Sequence, residues 1–140
     1  MAEIKDNGPN PYAVNIEEVT LENENFRTAL WTGEEFQITL MEIPVGGDVG
    51  LEVHTENDQF LRLEQGKGLA KMGPAKDNFT FEQEVSADWA VIVPKGVWHN
   101  IVNIGDEPMK LYSIYAPAHH PHGTVHKTQA EAEEAEAHEH

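Results

Sequence analysis

Glu52, His54, Gln59 and His99 are the residues whose types and spacing point to chemistry, because each can give a lone pair to a cation. The sequence has no cysteine, so disulfides, thiolate sites and cysteine nucleophiles are excluded. A metal must then be held by histidine, carboxylate or amide groups. Two imidazoles with one carboxylate form the donor set of hydrolytic zinc sites and of the non-heme iron triad. Gln59 would add a weaker neutral oxygen, or would hold a water or substrate by hydrogen bond. Glu56 and Asp58 lie on the same stretch and are rival carboxylates.

These donors act together only if rigid elements bring them together. Side chains alternate across a strand, so Glu52 and His54 share a face, as do Gln59, Leu61 and Leu63, and as do His99, Ile101 and Asn103. Turned into one barrel they could converge on one cation, whereas a register slip by one residue would turn Glu52 and His54 to water. From Tyr12 to Tyr115 the chain is cut into short β-forming segments by punctuation such as Thr32-Gly33, Pro44-Val45-Gly46-Gly47, Gly73-Pro74, Pro94-Lys95-Gly96 and Gly105-Asp106. That pattern predicts an all-β antiparallel sandwich or barrel. The strands expected are Val14 to Ile16, Phe26 to Trp31, Gln37 to Ile43, Val49 to His54, Gln59 to Gln65, Leu69 to Met72, Phe79 to Val85, Trp89 to Val93, His99 to Asn103 and Met109 to Tyr115. Helical signals are confined to Asn15 to Glu24 and Lys127 to His138. The second is nearly all Ala and Glu without an apolar stripe, and reads as a frayed helix or a disordered tail.

At 140 residues the chain is sized for one domain with its own core. The division expected is an N-terminal arm over 1–11, a barrel over 12–117, and a His-rich segment with an acidic tail over 118–140. No apolar run is long enough for a membrane helix, and Met1 to Asn10 lacks a signal-peptide segment, so a cytoplasmic protein is expected. The formal charge of −16 repels nucleic acid and anionic lipid headgroups.

Two stretches carry a family resemblance. Gly46-x5-Glu52-x-His54-x4-Gln59-x6-Gly66 resembles the first motif of the cupin superfamily, and Pro94-x-Gly96-x2-His99-x3-Asn103 resembles the second. Asp88 stands where the second motif usually opens on glycine. The resemblance implies a cupin double-stranded β-helix, a jelly-roll-like barrel, with a divalent metal (Mn, Fe, Zn or Ni) held by Glu52, His54, Gln59 and His99. Glu52 replaces the family's first histidine and Gln59 its glutamate, so the set keeps one carboxylate at a different position.

A cupin pocket is typically apolar with a few polar groups, which makes Leu61, Leu63, Trp98 and Ile101 its expected wall, with Phe36, Ile38, Leu40 or their alternates opposite. Tyr112 or Tyr115 could offer a phenol, and Glu56 and Tyr115 are the candidates for a catalytic acid or base. Arg62 and Lys110 alternate away from the interior, leaving Lys71 and Lys95 for an anion. The segment from His119 to His126 holds four of the eight histidines and is expected to pack across the barrel as a connection, with a second metal site or a lid as alternatives. His138 and His140 read as solvated tail. The function implied is a metal-dependent enzyme of isomerase or lyase type on a small polar metabolite such as a sugar or sugar derivative. Its alternatives are an iron-dependent dioxygenase and a non-catalytic metal or small-ligand binding module. A homodimer is expected, with Tyr12 to Ile16 adding to a partner's sheet edge.

Overall fold

A computed structural model of the chain describes residues 4–139, with side chains placed as far as residue 135. Met1 to Glu3 of the expected arm and the side chains of His138 and His140 lie outside the described residues. The barrel is made of two antiparallel sheets. The larger runs in the order β6 (Ala90–Val93), β3 (Asp58–Gln65), β8 (Met109–Ala116), β2 (Gln37–Ile43), β1 (Arg27–Thr32) and β9 (Val125–His126). The smaller is β5 (Phe81–Ser86), β4 (Lys67–Gly73) and β7 (Trp98–Asn103).

Register explains how one barrel has two chemically different ends. Gln37 pairs with Tyr115 and Tyr115 with Gln59, forming a polar row across β2, β8 and β3. Two residues along, Thr39, Ser113 and Leu61 form the next row, followed by Met41, Leu111 and Leu63, and then by Ile43 with Met109. All of these side chains are buried. The period of two therefore points one continuous set inward, and its composition shifts from apolar to polar along the strands. The apolar end joins Val85, Val91, Ala70 and Ile101 in the main core. A second cluster of Val19, Leu30, Leu40 and Tyr112, with Ile38 and Phe60 beside it, lies on the opposite face of the larger sheet. There α1 (Ile16–Glu22) buries Val19, its first turn capped by the Asn15 side chain accepting from the Glu18 amide at 3.0 Å.

Several expected elements differ from those found. Val14 to Ile16 is not a strand, since Ile16 already opens α1. Val49 to His54 is a loop held by single bridges, Asp48 with Val102 and Glu52 with His99. Its Gly50 has φ +103°, a left-handed conformation that breaks regular pairing. The Ala- and Glu-rich end takes the helical of its two expected forms, as α2 (Gln129–Glu139). Among its described side chains Ala132 alone is inserted into the barrel core, at 2 % exposure, and this contact needs no apolar stripe. Its start carries a cap that composition conceals: the Thr128 hydroxyl accepts from the Glu131 amide at 3.1 Å, while the Glu131 carboxylate accepts from the Lys127 amide at 3.3 Å. Asp88 has φ 74°, so the residue standing where glycine is usual adopts a glycine-like backbone. Gly66 has φ +95°, and a Cβ there would lie 2.9 Å from Met109 Cα, so only glycine fits the β3–β4 turn.

Candidate metal centre

The polar end of the barrel is where the separated donors meet. Gln59 comes from the inner face of β3, His99 from β7, and Glu52 and His54 from the loop bridged to β7. All four line one small cavity with Arg27, Met41, Leu61 and Tyr115. The bridge is reciprocal, the Glu52 amide donating to the His99 carbonyl at 3.1 Å and the His99 amide donating to the Glu52 carbonyl at 2.9 Å. This pairing fixes the two motifs side by side although 47 positions separate them in sequence.

Glu52 Oε2 lies 3.2 Å from His54 Nε2, and the His54 and His99 ring centroids are 5.1 Å apart. His99 Nδ1 faces the Val97 carbonyl at 3.1 Å and must donate to it, which leaves Nε2 with its lone pair for a ligand. Gln59 Nε2 donates to Ser113 Oγ at 2.8 Å, while Gln59 Oε1 is buried without a hydrogen-bond partner. A buried acceptor left unsatisfied costs about 1–3 kcal/mol, and a cation in the same cavity would satisfy it. The donors present therefore fit a divalent ion.

His119 supplies what the sequence reading did not expect. Ligand atoms of Glu52, His54 and His119 all lie within 4.8 Å of one another, close to the span of about 4 Å that two ligands on opposite sides of one ion would have. The His119 ring sits 4.3 Å from that of His54 and stacks on Tyr115 at 5.5 Å. Gln37 holds it there. The Gln37 Oε1 accepts from the amides of His119 and His120 at 3.2 and 2.9 Å, and its Nε2 donates to the His120 carbonyl at 2.8 Å. The segment does pack across the barrel as expected, ending in β9 beside β1, but it also delivers an imidazole to the cluster. The signal available was a dense histidine run four residues beyond an inward-facing tyrosine.

Electrostatics keep these rings neutral. Burial, then His119, His99 and Arg27, push His54 down to about 3. Glu52 at 3.2 Å acts in the opposite sense, and a neutral imidazole meets it at that distance as an N–H donor. His99 is lowered by burial against the opposing Val97 bond, and His120 is lowered by burial and then by Arg27. Neutral imidazole is the metal-binding form.

Other expected site residues lie elsewhere. Leu61 lines the cavity, but Leu63 and Ile101 belong to the apolar core, and Trp98 alternates to the outer face of β7. Phe36 is exposed, and Ile38 and Leu40 face the second cluster, so Met41 is the residue of β2 in the wall. Tyr115 is in the wall at 2 % exposure, while Tyr112 is in the second cluster. Glu56 is exposed, and Asp58, also exposed, accepts from the Lys95 amide at 3.0 Å, so neither carboxylate is in the cavity. Lys71 and Lys95 do not line it. The cation that does is Arg27, 2 % exposed, at the start of β1, which sequence reasoning passed over.

Comparison with known proteins agrees with this geometry. Residues 39–115 match the Cupin domain family, a span that opens in β2, closes in β8 and includes both motifs. The chain is 56 % identical to YrkC of Bacillus subtilis over 133 residues, 95 % of this chain and 72 % of that one. It is 36 % identical over 115 residues to a protein of Acanthamoeba polyphaga mimivirus, covering 81 % of this chain and 70 % of that one. A crystal structure from Bacillus halodurans, 56 % identical, superposes with a TM-score of 0.93 over 94 % of this chain and 99 % of the other. Since the matched span is the barrel that gathers Glu52, His54, Gln59 and His99 from separate elements, the chain belongs to the cupin family as a single-domain member.

Proposed function

We propose that this cupin is a divalent-metal-dependent enzyme of Lewis-acid type, an isomerase or lyase acting on a small polar metabolite such as a sugar derivative. Glu52, His54 and His99 hold the ion, Gln59 gives a neutral oxygen, and His119 is a further donor from the C-terminal segment. The observation that carries this reading is the unsatisfied Gln59 Oε1, buried in the same cavity as a carboxylate and two neutral imidazoles. When bound, a divalent ion with an open position polarises a carbonyl or enediolate oxygen and so acidifies the adjacent C–H. Tyr115 orients the substrate: its ring packs edge-on to His54 at 5.6 Å, and its hydroxyl, 3.4 Å from His120 Nε2, can donate to a substrate oxygen.

One observation favours a non-catalytic binding module instead. The cavity at the donors is only ≈ 10 Å³, about the room one water needs, so five donors could close around an ion and leave no place for substrate. The deciding experiment is elemental analysis of protein purified without nickel chromatography, followed by turnover on aldoses, ketoses and catechols with manganese, iron or zinc. Product from an aldose or ketose with manganese or zinc supports the proposal. Catechol cleavage with iron replaces it with a dioxygenase, tight metal binding with no turnover replaces it with the module, and no bound metal overturns it.

A further inference from the structure

We propose that the free edge of β6 joins two copies of this chain, β6 pairing antiparallel with its own copy so that the two larger sheets run on into one. β6 is the last strand of the larger sheet, and among the described residues it pairs with β3 alone. The Leu63 amide donates to the Trp89 carbonyl at 3.0 Å, and in the same register Leu61 faces Val91 and Gln59 faces Val93. The period of two therefore turns the amides and carbonyls of Val91 and Val93 toward β3 and those of Ala90 and Ile92 away from it. The strand that presents this open edge reads Ala-Val-Ile-Val and carries no charge. An accessible, uncharged edge is a template for a further strand.

The surroundings of that edge select a second copy as its occupant. Beside it a groove of ≈ 350 Å³ opens between the two sheets, walled by Met72, Phe81, Val85, Trp89 and Val91. Phe81 is 48 %, Trp89 47 % and Ile92 65 % exposed, three large apolar side chains at one place on a chain whose formal charge is −16. The strand across the groove, β5, guards its own edge with the exposed carboxylates of Glu82 and Glu84, the second of them 3.9 Å from Lys67. β6 is bounded instead by charges of opposite sign, Asp88 before its start and Lys95 beyond its end, both exposed. Antiparallel pairing about a twofold axis at Val91 sets Ala90 of each copy against Ile92 of the other, so that these residues exchange hydrogen bonds and the small side chain receives the large one. The same axis sets Trp89 opposite the other copy's Val93 and brings Asp88 beside the other copy's Lys95, once on each side. Parallel pairing would instead put Asp88 against Asp88 and Lys95 against Lys95. Met72, in the groove wall, is the register partner of His99, so a second copy seated here closes the barrel on the side next to the donor cluster.

The test is sedimentation velocity on the full chain from about 1 to about 100 µM, where a dimer is expected. Ile92→Lys, at an exposed position whose backbone does not bond to β3, is expected to weaken association at least about a hundredfold while circular dichroism shows a folded chain. Lys95→Glu is expected to weaken it about tenfold by setting a carboxylate beside the other copy's Asp88, and Asp88→Asn on that background to recover most of the loss. A wild type that stays monomeric at the highest concentration overturns the inference. So does a dimer that Ile92→Lys and Lys95→Glu leave intact, since the copies would then meet elsewhere, as at Tyr12 to Ile16. If Ile92→Lys does not fold, the Lys95→Glu loss and its recovery decide alone: recovery by Asp88→Asn supports the pairing, and no recovery overturns it.

Discussion

Replacing Gln59 by Leu should separate the fold's need for this residue from the metal's need. In the metal-free protein Gln59 contributes one hydrogen bond, Nε2 to Ser113 Oγ at 2.8 Å, and bears one penalty, the buried Oε1 with no partner. The bond contributes about 1 kcal/mol net, and the orphaned acceptor costs about 1–3 kcal/mol. Leu fills nearly the same volume beside Leu61 and removes both, but it leaves the buried Ser113 Oγ without its donor, at a cost of about the same 1–3 kcal/mol. The relief and the new cost cancel, so metal-free Gln59→Leu should lie within about 1 kcal/mol of the wild type, at the mild end of what replacing a buried residue costs.

With metal the balance reverses. At a free concentration of 100 times Kd, a bound ion stabilises the wild type by about 2.7 kcal/mol. Loss of one neutral oxygen ligand that weakens affinity tenfold would cut that increment to about 1.4 kcal/mol at the same concentration. For a domain of this size 1 kcal/mol corresponds to about 4 °C in Tm, so the metal-induced rise should fall from about 11 to about 6 °C. Scanning calorimetry of both proteins, metal-free and with manganese, reads these quantities directly. A metal-free variant destabilised by more than 2 kcal/mol, or a metal-induced rise equal to that of the wild type, would refute the placement of the Gln59 carbonyl on the cation.

Three other perturbations test separate links of the argument. His54, His99 and His120 are held below the ordinary imidazole value, His54 to about 3, so the unfolded chain takes up protons before the folded one does. Metal-free stability should be level above about pH 7 and fall as pH drops below about 6.5, by about 1 kcal/mol per pH unit from His54 alone after allowing for partial solvent access; urea titrations at pH 7.5, 6 and 5 check it, and a flat profile would sink it. Gln37→Leu removes the clamp on His119 and His120 and should cost about 2–4 kcal/mol, with faster hydrogen exchange at those two amides and weaker metal binding; unchanged exchange would mean the segment is anchored elsewhere. Asp88→Gly relieves a φ of 74° and gives up only an exposed pair with Arg62, so stability should rise by about 1 kcal/mol, a change read from chemical denaturation and contradicted by a loss.

The barrel was legible because its signals are local. The inner face of β3 alternates as Gln59, Leu61 and Leu63, and that of β7 as His99, Ile101 and Asn103, as a period of two requires. Asn103 shows why a motif position can be purely structural: its Nδ2 donates to the carbonyls of Ile43, Pro44 and Glu107, and its Oδ1 accepts from the Gly105 amide, tying three turns together. What the sequence hid depends on contacts between distant segments. His119 is held in the cluster in part by Gln37, 82 positions earlier, which binds its backbone. Ala132 becomes a core residue by packing against the barrel from a distant segment, a contact that the Ala and Glu composition of α2 does not record. Arg27 sits on a strand whose neighbours on both faces are buried, so alternation assigns it no direction.

The polar end of the barrel also accounts for a stability that is unevenly distributed along the same strands. From Ile43 and Met109 to Met41 and Leu111, each inward side chain buries apolar surface and contributes to folding. Thr39 Oγ1 one row further on and Gln59 Oε1 two rows further on are buried without partners, and His120 Nδ1 likewise. Each of these raises the free energy of the folded state by the cost of dehydrating a polar atom. A sequence selected for stability alone would put aliphatic residues there, as it does two rows away on the same strands. Polar groups left unpaired at one end of an otherwise apolar barrel are what a ligand-dependent site requires, because groups already satisfied by protein have nothing left to give to an ion or a substrate. The apolar end must then carry the fold without help. For that reason Leu111→Ala should cost several times as much as Ser113→Ala in the metal-free protein, although the two residues are two apart on one strand and equally buried.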